Sequence, residues 1–222
     1  MPGLIKKEEF KDNCGFGLIA NINGVKSHKV IINSINALIS MTHRGGVGSD
    51  GKTGDGCGLL FDIDHKFFAD TVLKEQNIEI GEYFAIGQIF YHQDISKLLP
   101  KIKKILKSEN LVLAAYRKVP VDEKILGEIA HSCMPEIFQL FIKPTEKDFN
   151  QDVFETGLIQ ARKYIEEIYM DDNKLYVCSM SSKTVVYKGL MLPNAIKEFY
   201  LDLNQENFRA STCVFHQRFS TN

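Results

Sequence analysis

Hydrophobic periodicity constrains this chain more than any other feature. Alternating apolar residues predict strands at Phe16 to Ile22, Gly58 to Ile63, Tyr83 to Phe90, Leu111 to Lys118, Glu136 to Ile142, Leu175 to Met180, Thr184 to Tyr187 and Thr212 to Phe215. Helical spacing fits Lys29 to Met41, His65 to Glu75, Ile95 to Lys107, Glu123 to His131 and Phe149 to Met170, with Pro100 as a blemish in the third. Strands occur both in direct succession and separated by helices. That order points to a layered α+β domain rather than a strictly alternating parallel sheet. At 222 residues, with 44% hydrophobic and 25% charged residues, the chain has the length and composition for one large globular domain.

Charge and cysteine usage exclude several classes. The net charge of -1 gives no overall attraction to nucleic acid or acidic lipid. The lysines at 101, 103, 104 and 107 fit the solvated face of an amphipathic helix. No apolar run approaches the roughly 20 residues that span a bilayer, and the N-terminus lacks a signal-peptide core, so a cytoplasmic location without membrane contact is expected. The five cysteines are widely spaced with no CxxC pair, which argues against a disulfide framework or a structural metal site.

Two stretches break the periodicity. Thr42 to Gly58, THRGGVGSDGKTGDGCG, holds seven glycines in seventeen residues and so has little side-chain material for a core. It is a loop of the kind used where backbone turns sharply or approaches a ligand. It matches neither GxxxxGK[ST] nor a GxGxxG that opens a helix, so a nucleotide site is not expected. The second break is the C-terminal HQRFSTN.

Cys14 stands directly after a short charged segment and directly before GFGLIANI. Cleavage of the Asn13–Cys14 bond would put a thiol and a free α-amino group on one residue at the start of a strand. A thiol of pKa near 8.5 needs a proton acceptor at neutral pH, and an α-amino group of pKa about 7.7–8.0 can serve. While bonded to Asn13 that nitrogen is an amide and cannot.

DNCGFGLIANINGVKSH, LISMTHRGGVGSDGKTGDGCGLL, SMSSKTVVYKGLMLP and FHQRFSTN, in that order, resemble the amino-terminal glutaminase domain of glutamate synthase large subunits. The resemblance implies a four-layer α/β/β/α N-terminal nucleophile hydrolase fold, incomplete at its C-terminal side. It implies residues 1–13 as a propeptide and 14–222 as a partial class II amidotransferase domain. Cys14 would be the catalytic nucleophile, Arg218 the anchor of the glutamine α-carboxylate, Thr221 its helper, and Arg44 a support for the site. Cys57 would be no nucleophile, and His43 and His216 would be packing or hydrogen-bonding residues rather than partners of Cys14. No metal or organic cofactor is implied for this chain, while FMN and an iron–sulfur cluster would belong to the complete enzyme. The implied partners are glutamine and the remaining synthase domains, in cis or as a separate subunit. The oxyanion-hole Asn-Gly pair and the residue that holds the glutamine amino group would lie beyond Asn222, so this chain alone is expected to be inactive. Two alternatives stay open: a catalytically silent regulatory or assembly domain of the same fold, and another class II amidotransferase.

Overall fold

The computed structural model describes residues 15–146, 148–168 and 174–218. Eight strands form two antiparallel sheets of four. The first sheet has the order β1 (Gly15–Ala20), β8 (Thr212–Gln217), β2 (Cys57–Asp62), β7 (Thr184–Gly189). The second has the order β4 (Leu111–Lys118), β5 (Glu136–Pro144), β3 (Ala85–Tyr91), β6 (Leu175–Ser181). Both contain strands far apart in sequence, and the first places the last strand between the first two. This is the mixed α/β architecture with two antiparallel sheets that the sequence led us to expect.

Alternation sorts each strand onto two faces. In the first sheet Cys57, Leu59 and Phe61 of β2, Cys213 and Phe215 of β8, and Val185 and Tyr187 of β7 enter the larger core. There they meet helix α1 (His28–Ser40), which buries Val30, Ile31, Ile35 and Leu38, and helix α2 (His65–Gln76), which buries Phe67, Phe68 and Val72. Ile86, Ala115, Ile137 and Phe141 of the second sheet join the same core. The opposite face of the second sheet packs Ile89, Leu140 and Val177 against α3 (Ile95–Ser108) and α5 (Gln151–Ile168). On the other face of the first sheet Phe16 is 75% exposed and Leu18 61%, so among the described residues nothing covers it.

Local chemistry accounts for the helix ends. Asp64 and Asp94 accept from the backbone N–H groups of Phe67 and Ser96 and cap α2 and α3. Pro100 is exposed inside α3, while Leu98, Ile102 and Leu106 line its buried stripe and the four lysines face solvent. Asn150 caps α5 through Asp152 and Val153, two residues later than the spacing predicts. The expected helix from Glu123 to His131 is instead a 3-10 turn (Glu123–Ile125) and a short helix α4 (Glu128–Ser132). Extended Leu126 and Gly127 separate the two. The cause is tertiary. Asp50 accepts from Ile129 N at 3.1 Å and Thr53 Oγ1 from Ala130 N at 3.1 Å, so two loop side chains satisfy the first turn of α4. A Cβ on Gly127 would lie 2.3 Å from the Asp50 carboxylate. Short helical turns between Pro193 and Asn204, the last helix being α6 (Ile196–Phe199), carry no clear helical period in the sequence.

Among the described residues one charge pair is buried on both sides. Arg117, on β4, donates to Asp202 through both terminal nitrogens and to Gln139 Oε1 through Nε at 2.9 Å. Tyr187 donates to Asp202 at 2.9 Å, and Gln139 donates to both Gln88 and Tyr187. The network ties both sheets to the segment that carries Asp202. The pairing satisfies groups that would be costly to bury alone.

Candidate functional site

The two glycines of the CGFG motif are packing requirements. A Cβ on Gly15 would lie 2.8 Å from Arg44 Cδ, and a Cβ on Gly17 would lie 2.5 Å from the Phe215 ring. Gly15 therefore lets the Arg44 side chain lie flat against the start of β1. Arg44 itself closes a 3-10 turn, Thr42–Arg44, through Arg44 N–H to Met41 O at 2.8 Å.

The register then gathers the motif ends. Gly15 pairs with Gln217, Gln217 with Cys57, and Cys57 with Gly189, so the four lie in one row across the sheet. The residue that follows Cys14 is thus opposite the residue that precedes Arg218. Arg218 leaves β8 with φ of 77°, which is uncommon for a non-glycine residue, and its N–H donates to Gly56 O at 2.7 Å. Its Nε lies 3.7 Å from Asp55 Oδ2, an ion pair rather than a hydrogen bond. Asp55 Oδ2 also accepts from Gly46 N at 2.8 Å.

The glycine-rich loop is pinned rather than loose. Val47 bridges Gly54, and Gly48 N–H donates to Thr53 O at 2.7 Å. Asp50 accepts from the Thr53 hydroxyl, from Thr53 N, from Lys52 N and from Ile129 N. Those bonds, the Thr53 hydroxyl foremost, hold its carboxyl well below the usual carboxylate range. The loop thereby fixes Arg44, Gly46, Asp55 and Gly56 around Gly15 and Arg218.

Burial disposes of three competing thiols, Cys57, Cys178 and Cys213, while Cys133 is exposed. Cys57 is fully buried, and desolvation pushes its thiol up to about 12. The same cause pushes Cys178 and Cys213 up to about 12. A thiol so high is not ionised near neutral pH and is a poor nucleophile. His216 packs over Gly58, where a Cβ would lie 2.5 Å from its Cε1, and burial, followed by the charge of Lys188, lowers its pKa. His43 is exposed. No group of His, Cys, Asp or Glu among the described residues could hold a metal ion.

Of the residues singled out from sequence, Arg44 lies against Gly15 and Arg218 beside Asp55, while Cys14 and Thr221 lie outside the described residues. Sequence reasoning passed over Asp55 and Gln217. Gln217 is fully buried, and its amide has no hydrogen-bond partner among the described residues. Asp55 carried a signal, since an acid between the glycines of GDG has no core to serve. An apolar cavity of about 610 Å³, lined by Phe90, Tyr176, Met191 and Phe199 among others, contains none of Arg44, Asp55 and Arg218.

Comparison with known proteins identifies the family. The sequence model of the class-II glutamine amidotransferases matches residues 14–222, beginning at Cys14. The chain is 36% identical over 233 residues to glutamate synthase [NADH] of Saccharomyces cerevisiae, covering 99% of this chain and 11% of that protein. It is 37% identical over 217 residues to ferredoxin-dependent glutamate synthase 1 of Arabidopsis thaliana, covering 94% and 13%. It is 35% identical over 224 residues to the glutamate synthase [NADPH] large chain of Bacillus subtilis, covering 99% and 15%. The chain thus spans between about a tenth and a seventh of the length of these relatives. With its motif ends gathered at one sheet edge and this match across both, the chain belongs to the class II glutamine amidotransferases, as a domain of the glutamate synthase kind.

Proposed function

We propose that, within the complete protein, this chain supplies Cys14 as the nucleophile that hydrolyses the side-chain amide of glutamine, once residues 1–13 are removed. The cross-strand pairing of Gly15 with Gln217 carries the reading, because it brings the neighbour of Cys14 beside Arg44 and Arg218. The Cys14 thiol gives its proton to the freed α-amino group and adds to the carboxamide carbon. The carbon–nitrogen bond breaks, the nitrogen leaves as ammonia with that proton, and a glutamyl thioester remains. Water then adds to the thioester carbon, releasing glutamate and restoring the thiol. Arg218 offers the forked donors that suit the α-carboxylate of glutamine, with Thr221 as its helper, and Arg44 orders the turn beside Gly15.

In the complete protein the ammonia would pass to further domains and be fixed on 2-oxoglutarate, with FMN and an iron–sulfur cluster held outside this chain. The similarity to glutamate synthases of Saccharomyces cerevisiae and Bacillus subtilis supports that assignment. Ammonia release from glutamine by the full-length protein tests the reading. Cys14→Ala should abolish it, whereas Cys57→Ala, at a buried thiol, should leave most of it. Intact-mass analysis should find Cys14 as the first residue of the active form. Near-normal turnover in Cys14→Ala would end the assignment.

A further inference from the structure

We infer that Asp55 is a positioning residue for Arg218, fixing the direction in which the guanidinium fork faces its substrate. The inference rests on the reading of Arg218 as the anchor of the glutamine α-carboxylate. Two adjacent residues grip Arg218 at two levels: Gly56 O takes its backbone N–H at 2.7 Å, and Asp55 Oδ2 lies 3.7 Å from its side-chain Nε. The first contact, with the φ of 77°, sets where the side chain leaves the strand. A long flexible side chain still has several torsions to choose from after that point. Asp55 narrows the choice by holding the Nε edge, which directs the Nη edge, the one that matches a carboxylate in parallel fashion, away from the loop.

The carboxylate is itself anchored. Gly46 N–H donates to the same Oδ2 at 2.8 Å, and a Cβ on Gly46 would stand 2.9 Å from both carboxylate oxygens. Gly46 therefore leaves the space that Asp55 occupies, and the pinned loop carries both residues. As a surface ion pair the contact adds little to stability, because both side chains are partly exposed, 28% for Arg218 and 44% for Asp55. Its worth is geometric. The same negative charge also repels the substrate carboxylate, but that repulsion acts at longer range and through solvent, so orientation dominates.

The test uses the full-length, processed enzyme and Asp55→Asn, which keeps an oxygen for Gly46 N–H while removing the charge. The Michaelis constant for glutamine should rise about five- to twentyfold with kcat within about twofold, the signature of lost uniform binding. In an Arg218→Ala background the same exchange should have no further effect on KM, since the two act through one interaction. γ-Aminobutyramide, which is glutamine without its α-carboxylate, should be turned over equally by wild type and Asp55→Asn. An unchanged or lowered KM for glutamine would overturn the inference. So would an equal penalty in the Arg218→Ala background or on γ-aminobutyramide, which would make Asp55 a purely structural residue. Cys14→Ala, run alongside, separates this failure from failure of the glutaminase reading: if that variant keeps its activity, the site itself is misassigned.

Discussion

A single arginine at the end of a strand concentrates the chemistry of this site. Arg218 combines a left-handed backbone, a backbone bond to Gly56 and an acidic neighbour at Nε, and few residues are fixed so thoroughly without a binding role. Because an α-carboxylate is remote from the amide that breaks, it is held equally in ground and transition states. Arg218→Ala should therefore raise KM for glutamine about tenfold to several hundredfold and leave kcat near its original value, as initial-rate kinetics would show. Lysine at this position should restore little, because a point charge lacks the planar fork. The residues around Arg218 differ in how readable they were. Arg218 and Arg44 stand in motifs with a recognisable residue pattern. Asp55 offers only the signal of an acid between two glycines, and folding alone sets it opposite an arginine 163 positions away.

At the level of elements, the buried pair of Arg117 on β4 and Asp202 after α6 joins parts that hydrophobic contact alone would not orient. Arg117 is 3% exposed and Asp202 not at all. Removing the acid would leave a guanidinium in the core with Gln139 and the more distant Glu75 as partners. Asp202→Ala should cost about 3–5 kcal/mol, and replacing both residues by apolar ones of similar volume should recover most of that loss. The midpoints of urea unfolding, at unchanged slope, would measure both. Elements were legible where one rule governed them: β4 keeps the expected bounds Leu111 to Lys118, although its register shifts between Leu113 and Ala115, and α2 begins at His65 behind its Asp64 cap. They were illegible where distant side chains intervened. Nothing near Gly127 in sequence announces that Asp50 and Thr53 will break a helix there, and no local pattern encodes a last strand inserted between the first two.

The molecule as a whole should lose stability in acid in two stages. Burial above all lowers the pKa of His65, whose ring also packs on Phe84, and of His216. The folded state thus holds these rings neutral, and the unfolded chain binds more protons below the ordinary histidine value of 6.5. Stability is full above that value and falls as pH drops through it. A second decline follows below 3.8, where the lowered carboxylates must take up protons. Asp62 is one of these, its burial outweighed by bonds from Thr212 and Ser211 and by Lys26. Thermal unfolding across this range would show both stages, and His65→Gln should flatten the first.

The strand order also has a consequence in time. Among the described residues β1 pairs with β8 alone, and roughly 190 residues separate them. At about 5–20 residues per second a ribosome needs roughly 10–40 s to make that stretch. Throughout that interval β1 has no partner strand among the described residues, whereas the second sheet has all four of its strands once Ser181 has been added. The row that joins Gly15 to Gln217 accordingly forms only after the four strands of the second sheet have been made, so β1 waits on β8 before it can enter a ladder.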